Sequence, residues 1–290
     1  MSVGVVKSLH IHPIKSCRAL SVQSATVGPV GLVGDREWQV AAGITPLTQR
    51  QHAVMATVDA VPIDGGLRLS APGQPTIEVE RPSTADTETG SLIGVKVLVG
   101  DAGEAAAEWF TALLGDSARL YARTPESELV PPEPLDVFGG QRIAFSDLAP
   151  VLVANTASST WLEERANEPF GIDRFRANVV VDGPEPFAED TWARFRIGAA
   201  ALAHGAPWPR CAVPQVDQNS GERRKEPAVV LKAHRWVDAA PAYNEIMRSV
   251  IEGNAVFGVG CSIGPAGTVI SVGDALEVDE TMEPLLASPA

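Results

Sequence analysis

Basic residues are scarce in this chain, and so are cysteines, aromatics and long apolar runs. Against 36 Asp and Glu stand 23 Lys and Arg, a formal net charge of -13 over 290 residues. A field of that sign repels phosphate backbones and acidic lipid surfaces, which excludes nucleic acid and anionic membrane as partners. The three cysteines, Cys17, Cys211 and Cys261, are widely spaced with no CxxC pair. That excludes a disulfide scaffold, a zinc ribbon and a four-thiolate iron–sulfur cluster. No run of about 18 apolar residues occurs, and the opening MSVGVVKSLHIHPI has no charged n-region, apolar h-region or small-residue cleavage site. The expectation is a cytoplasmic protein. Aromatics are only 6% of the chain, but 45% of it is apolar, enough for one large core or two ordinary ones.

What is present is mostly β patterning. Val3, Val5, Lys7, Leu9 and Ile11 alternate as one face of a strand, and Val22, Ser24 and Thr26 begin another after the HPIKSC break. GLVGDREWQVAA, GLRLSAP, PTIEVE and VKVLVGD follow at barrel-like spacing, separated by Gly, Pro and Asp turns. DAGEAAAEWFTALLG predicts a helix capped by Asp101 and closed by Gly115. The Pro- and acid-rich TPESELVPPEPLDVFGG, residues 124–140, predicts a connection between two units, 1–125 and 126–280, with an acidic tail at 281–290. In the second unit, TASSTWLEERANE predicts a helix capped by Ser158 or Ser159, and PAYNEIMRSVIEGN another. RFRANVVVDG, TWARFRIG, AALAHGA, CAVPQVD and GTVISVGDALEVD predict strands. The fold class is therefore mainly β with some α, in two β-rich domains.

Candidate chemistry is dispersed. Lys15 and Ser16 sit at a strand end, where free backbone N–H groups and both side chains could face an anion, although solvated surface residues fit the pattern as well. Asp35 and Arg36 in GDREW suit an ion pair across a turn. Arg50, Arg174 and Arg176 are surface arginines singly, and a fork-like phosphate site if they converge. His10 and His12, two apart on a strand, would point to one side, but no third metal ligand is evident, and a surface pair is the expectation. GVGCSIGPAG lacks the GxGxxG pattern and reads as turns around a strand, with Cys261 as apolar filler. Cys211, in PWPRCAVPQVDQNSG, remains open on pattern alone. It could pack, attack a substrate or hold a soft metal, and Arg210 beside it would favour the thiolate.

In combination these segments resemble a known family. HPIKSCRALSV, GLVGDREWQV and LTQRQ are similar to the N-terminal β-barrel domain that accompanies the molybdenum cofactor sulfurase C-terminal (MOSC) domain. FRANVVVDGPEPFAEDTWARFRIG, PRCAVPQVDQNSGERRKEPAVVLKAHR and GTVISVGD follow the motifs of the MOSC β-barrel domain itself, in order. Within that family the chain resembles the amidoxime-reducing component and its bacterial relatives. The resemblance implies a molybdenum-cofactor-dependent oxidoreductase (Mo-molybdopterin) that reduces N-hydroxylated compounds, with Cys211 as catalytic residue and protein ligand to the metal. It implies that Lys15, Ser16, Arg36, Thr156, Ser158, Arg176, Asn178 and Arg210 bind the pterin and its phosphate. Arg50 and Asp217 match motif positions too, with a structural role equally open. Eukaryotic members carry an N-terminal membrane segment and some bacterial ones a ferredoxin domain. Neither is found here, so the expected electron donor is a separate ferredoxin- or flavoprotein-type reductase. The alternative is a non-catalytic cofactor carrier or a sulfur-transfer protein using Cys211. A cysteine hydrolase is disfavoured, because His204 and His234 form no recognisable base pattern.

Overall fold

The computed structural model describes residues 2–287 except 86, 132, 134 and 147. Its centre is a closed barrel of seven strands, running Val151–Asn155, Val179–Asp182, Ser2–Ile11, Ala275–Thr281, Trp192–Ile197, Ala200–Pro209 and Asn254–Gly264. It closes where Val151 pairs with Cys261. Closure removes the open edges a β-sheet would otherwise present. Val6, Leu9, Val153, Val181, Phe195 and Val259 fill its interior.

The first strand therefore lies in the barrel built by the second half, between Val179–Asp182 and Ala275–Thr281. Its pattern also departs from simple alternation. Val5 and Lys7 are exposed while Val6, Leu9 and Ile11 are buried. The register shifts between Val6 and Ser8, and such an irregularity moves every later side chain to the opposite face.

The rest of the first half forms a second core. A five-stranded sheet (Thr87–Leu92, Val95–Asp101, Arg119–Arg123, Trp38–Ala42, Thr45–Pro46) and a three-stranded one (Asp59–Ile63, Gly66–Ser70, Ile77–Glu80) enclose Trp38, Met55, Leu69 and Leu120. The helix Glu104–Leu114 covers them with Ala106, Trp109 and Phe110. Gly115 ends it in the left-handed conformation, as expected, but Asp101 sits ahead of the cap, accepting from the Gly103 N–H at 2.7 Å.

In the second half, Asn155 rather than a serine caps the helix Thr156–Glu163, its side chain accepting from the Ala157 N–H at 3.1 Å. Ser158 and Ser159 lie within the helix and are buried. The stretch CAVPQVD is a short 3-10 turn, Val213–Gln215, where a strand was expected; Pro214, in its first turn, has no N–H to give a strand ladder. The helix Ala228–His234 was not anticipated. Among the described residues no helix is long and apolar enough to cross a membrane.

Candidate functional site

The HPIKSC loop is laced to the GDREW turn by backbone hydrogen bonds. The Arg36 N–H donates to the His12 carbonyl (2.7 Å), the Lys15 N–H to Trp38 (2.8 Å) and the Trp38 N–H to Pro13 (3.0 Å). This lacing brings Lys15, Ser16 and Arg36 to one wall of a cavity of about 400 Å³. Arg176, from the turn after Ile172–Phe175, and Arg210 and Cys211, from the end of the strand Ala200–Pro209, line the same cavity. Arg50 lines it as well. The remaining surface is largely apolar, with Phe145, Leu148, Leu152, Phe175 and Trp208. No Asp or Glu occurs among the described lining residues. In a chain carrying a net charge of -13, a hollow with five basic side chains is a local reversal of sign suited to an anion.

The backbone is strained here. Ser16 (φ 66°), Arg36 (φ 49°) and Arg176 (φ 55°) all adopt the left-handed region, which costs an L-residue about 1–2 kcal/mol each. Three of the five described non-glycine residues with positive φ thus belong to one cavity, as expected where side chains are held for a ligand.

Behind Arg36 lies a buried polar cluster. Asp35 pairs with the Arg36 guanidinium and accepts from the His12 N–H at 2.7 Å, with the His12 Nδ1 at 3.2 Å. His12 is fully buried, which corrects the expected surface pair. Burial first, then the Arg176 and Arg36 charges, pull its pKa down to about 3, against the opposing pull of Asp35. Burial would raise the Asp35 carboxyl, but Arg36 and the hydrogen bonds from His12 outweigh it and hold it well below the usual range. Asn178 supports Arg36 from the other side. Its Oδ1 accepts from Arg36 Nη1 and from the Leu152 N–H, both at 3.2 Å, while its Nδ2 donates to the His10 carbonyl at 3.2 Å.

Arg210 donates from Nη2 to the Phe175 carbonyl at 2.8 Å and lies 5.5 Å above that ring. Phe175 in turn stacks on Phe257 at 3.7 Å. Arg176 is buried, and burial, reinforced by the neighbouring Arg36 and Arg210 charges, lowers its pKa to about 9. Its Nη2 is buried without a hydrogen-bond partner among the described residues. Arg174 does not join the cavity lining; it is tied to Asp217 Oδ2 at 3.0 Å and to the Pro214 carbonyl at 3.1 Å. Of the three thiols, Cys17 and Cys261 are buried and Cys211 is exposed. Burial drives the Cys17 pKa up to about 12 and raises that of Cys261 further, so neither is a ready thiolate.

Two matches cover most of the chain: the MOSC N-terminal beta barrel domain over residues 3–117 and the MOSC domain over 140–277. Over 288 residues the chain is 32% identical to mitochondrial amidoxime reducing component 2 of Bos taurus, covering 94% of this chain and 82% of that protein. It is 31% identical to the Rattus norvegicus protein of the same name, with the same coverage, and 29% identical over 285 residues to mitochondrial amidoxime-reducing component 1 of Xenopus laevis. The chain belongs to the amidoxime-reducing component family.

Within this member of the family, six expected site residues, Lys15, Ser16, Arg36, Arg176, Arg210 and Cys211, line one cavity, and Asn178 holds one of them from behind. Thr156 and Ser158 are not brought there. The Thr156 hydroxyl donates to Asp182 at 2.9 Å beside a separate shallow hollow containing Trp161 and Pro186. Ser158 is fully buried, donating to Glu189 at 2.8 Å and accepting from the Phe187 N–H at 2.7 Å. Both hydroxyls are committed to fastening the helix to its surroundings. Asp35 pairs with Arg36 as GDREW suggested, whereas buried Gln218, whose Oε1 accepts from Arg176 Nη1 at 2.9 Å, and buried Gln49 beside it carried no sequence signal.

Proposed function

We propose that this amidoxime-reducing component homologue reduces N-hydroxylated compounds at a molybdenum cofactor seated in the 400 Å³ cavity, with Cys211 as the protein ligand to the metal. The observation that carries the reading is the placement of the one exposed thiol at the rim of a hollow whose basic side chains come from both halves of the chain. The donor set suits the group. A thiolate is a soft ligand matched to a soft, sulfur-rich centre, and Lys15, Arg36, Arg176 and Arg210 are the donors a pterin phosphate requires. The unpartnered buried Nη2 of Arg176 supports the same fit, since a buried donor left without an acceptor is costly.

When bound, the cofactor supplies the two electrons that, with two protons, convert an N–OH group to N–H and water. The protein's own residues bind and orient. The arginines clasp the anionic end, Asn178 and Asp35 fix the angle of Arg36, and Phe175, Trp208, Leu148 and Phe145 give the cavity an apolar side. We read the electron donor as a separate ferredoxin- or flavoprotein-type reductase and the location as cytoplasmic. We also read 1–125 and 126–280 as the two units, joined by the shared first strand.

The exposure of Cys211 also fits a second reading, a carrier that passes cofactor or a persulfide sulfur to another enzyme. The test is elemental analysis of purified protein followed by turnover of benzamidoxime with a chemical reductant. Molybdenum near one per chain with turnover supports the reductase. Molybdenum that transfers to an apoenzyme without any turnover supports the cofactor carrier, and protein with no molybdenum after expression in a cofactor-producing host rejects both the reductase and the cofactor carrier.

A further inference from the structure

Arg176 is seated by an amide, not by a carboxylate. Its Nη1 donates to Gln218 Oε1 at 2.9 Å. Gln218 is in turn locked to Gln49 by a reciprocal pair of amide hydrogen bonds, Gln49 Nε2 to Gln218 Oε1 at 3.1 Å and Gln218 Nε2 to Gln49 Oε1 at 3.0 Å. The outer bonds anchor the pair to backbone, Gln49 Nε2 to the Ser16 carbonyl at 2.8 Å and Gln218 Nε2 to the Val216 carbonyl at 2.9 Å. All three side chains are buried. An arginine carries only donors, so the Gln218 oxygen has to face it, and that choice fixes the orientation of both amides.

The contrast lies two residues away. Arg174 has Asp217 as its partner, so its charge is satisfied within the protein. Arg176 has a neutral partner, a second guanidinium nitrogen that is buried and unpartnered, and a place in the wall of the cavity. A carboxylate at position 218 would have served the hydrogen bond as well and cancelled the charge. The buried side-chain pair also joins the loop after Thr45–Pro46 to the turn after Val213–Gln215, so the same contact links the two halves at the point where both reach the cavity.

We propose that the Gln49–Gln218 pair is an uncharged seat that holds the Arg176 guanidinium in place while leaving its positive charge to the ligand. Both glutamines are thereby positioning residues for a phosphate monoester end in the cavity. The inference rests on the reading that the cavity takes a phosphate-bearing group.

The experiment compares wild type, Gln218→Glu and Gln218→Met as full-length chains from a host that makes no pterin cofactor, using inorganic phosphate as probe in titration calorimetry near neutral pH. The Gln218→Glu substitution would place a negative charge against Arg176 in a partly dehydrated site, weakening phosphate binding by roughly tenfold or more. The uncharged Gln218→Met variant loses the hydrogen bond that holds Arg176 but adds no charge, and phosphate binding weakens by about two- to fivefold, less than in Gln218→Glu. Equal losses in the two variants, no loss in either, or no phosphate binding by wild type overturns the inference. Should Gln218→Glu fail to fold, Gln49→Glu brings the same charge to the adjoining amide and carries the same prediction. Molybdenum content is measured separately on protein from a cofactor-producing host. A missing metal with the contrast between the two variants intact removes the cofactor reading and leaves the seat, whereas bound metal without the contrast removes the seat alone.

Discussion

His12 makes the stability of this fold sensitive to mild acid, and the size of the effect follows from its surroundings. The ring is fully buried between two arginines that reach the cavity, Arg36 and Arg176, and its pKa is pulled from an ordinary 6.5 to about 3. In the unfolded chain the same ring protonates near its ordinary value. A group whose folded pKa is depressed contributes stability that is present above the unfolded pKa and is lost as pH falls towards the folded one. Between about pH 6.5 and about pH 4.5 this single histidine therefore removes about 2 kcal/mol of folding stability. Asp35 titrates below that window, because Arg36 and His12 overcome the upward pull of burial. The perturbation is His12→Gln, which cannot protonate and still offers a donor towards Asp35. Urea unfolding followed by circular dichroism, at several pH values across the window, gives the assay. The wild-type curve should fall more steeply than the variant's, with the difference in stability between the two changing by about 2 kcal/mol from one end of the window to the other. Parallel curves would refute the buried neutral state of His12.

Two further outcomes follow from packing and charge. Phe175→Ala removes a ring stacked on Phe257 and lying beneath Arg210, and should cost about 3–5 kcal/mol in chemical denaturation while also loosening the cavity wall. Arg235→Met leaves the buried Asp190 carboxylate without its guanidinium partner, beside a Glu189 whose pKa burial and Asp190 already raise; a loss of about 3–5 kcal/mol is expected, partly recovered on acidification as the carboxylates protonate.

The strands and the cavity differ in how far the residues announced them. Strands with one buried face, such as Gly66–Ser70 and Ile77–Glu80, follow hydrophobic patterning that a reader can trace. The first strand does not, because its register shift reverses the faces midway, and a shift of that kind depends on partners more than a hundred residues away. Lys15, Arg36, Arg176, Arg210 and Cys211 were recognisable because their motifs resemble a family, and no local pattern shows that they converge. Thr156 and Ser158 satisfy the same motif reasoning yet spend their hydroxyls on Asp182 and Glu189. Gln49 and Gln218 left no trace in charge or spacing. In LTQRQ only Arg50 carries a charge, and a neutral side chain such as Gln49 acquires meaning only once its burial and its partner are known.

The most direct measurement is X-ray absorption at the molybdenum edge, comparing wild type with Cys211→Ala. Cys211 is exposed, so the variant should fold with stability within about 0.5 kcal/mol of wild type and differ in the metal's coordination alone. The account predicts one sulfur neighbour fewer around the metal in the variant, together with loss of benzamidoxime reduction. An unchanged sulfur count with molybdenum still bound would contradict it.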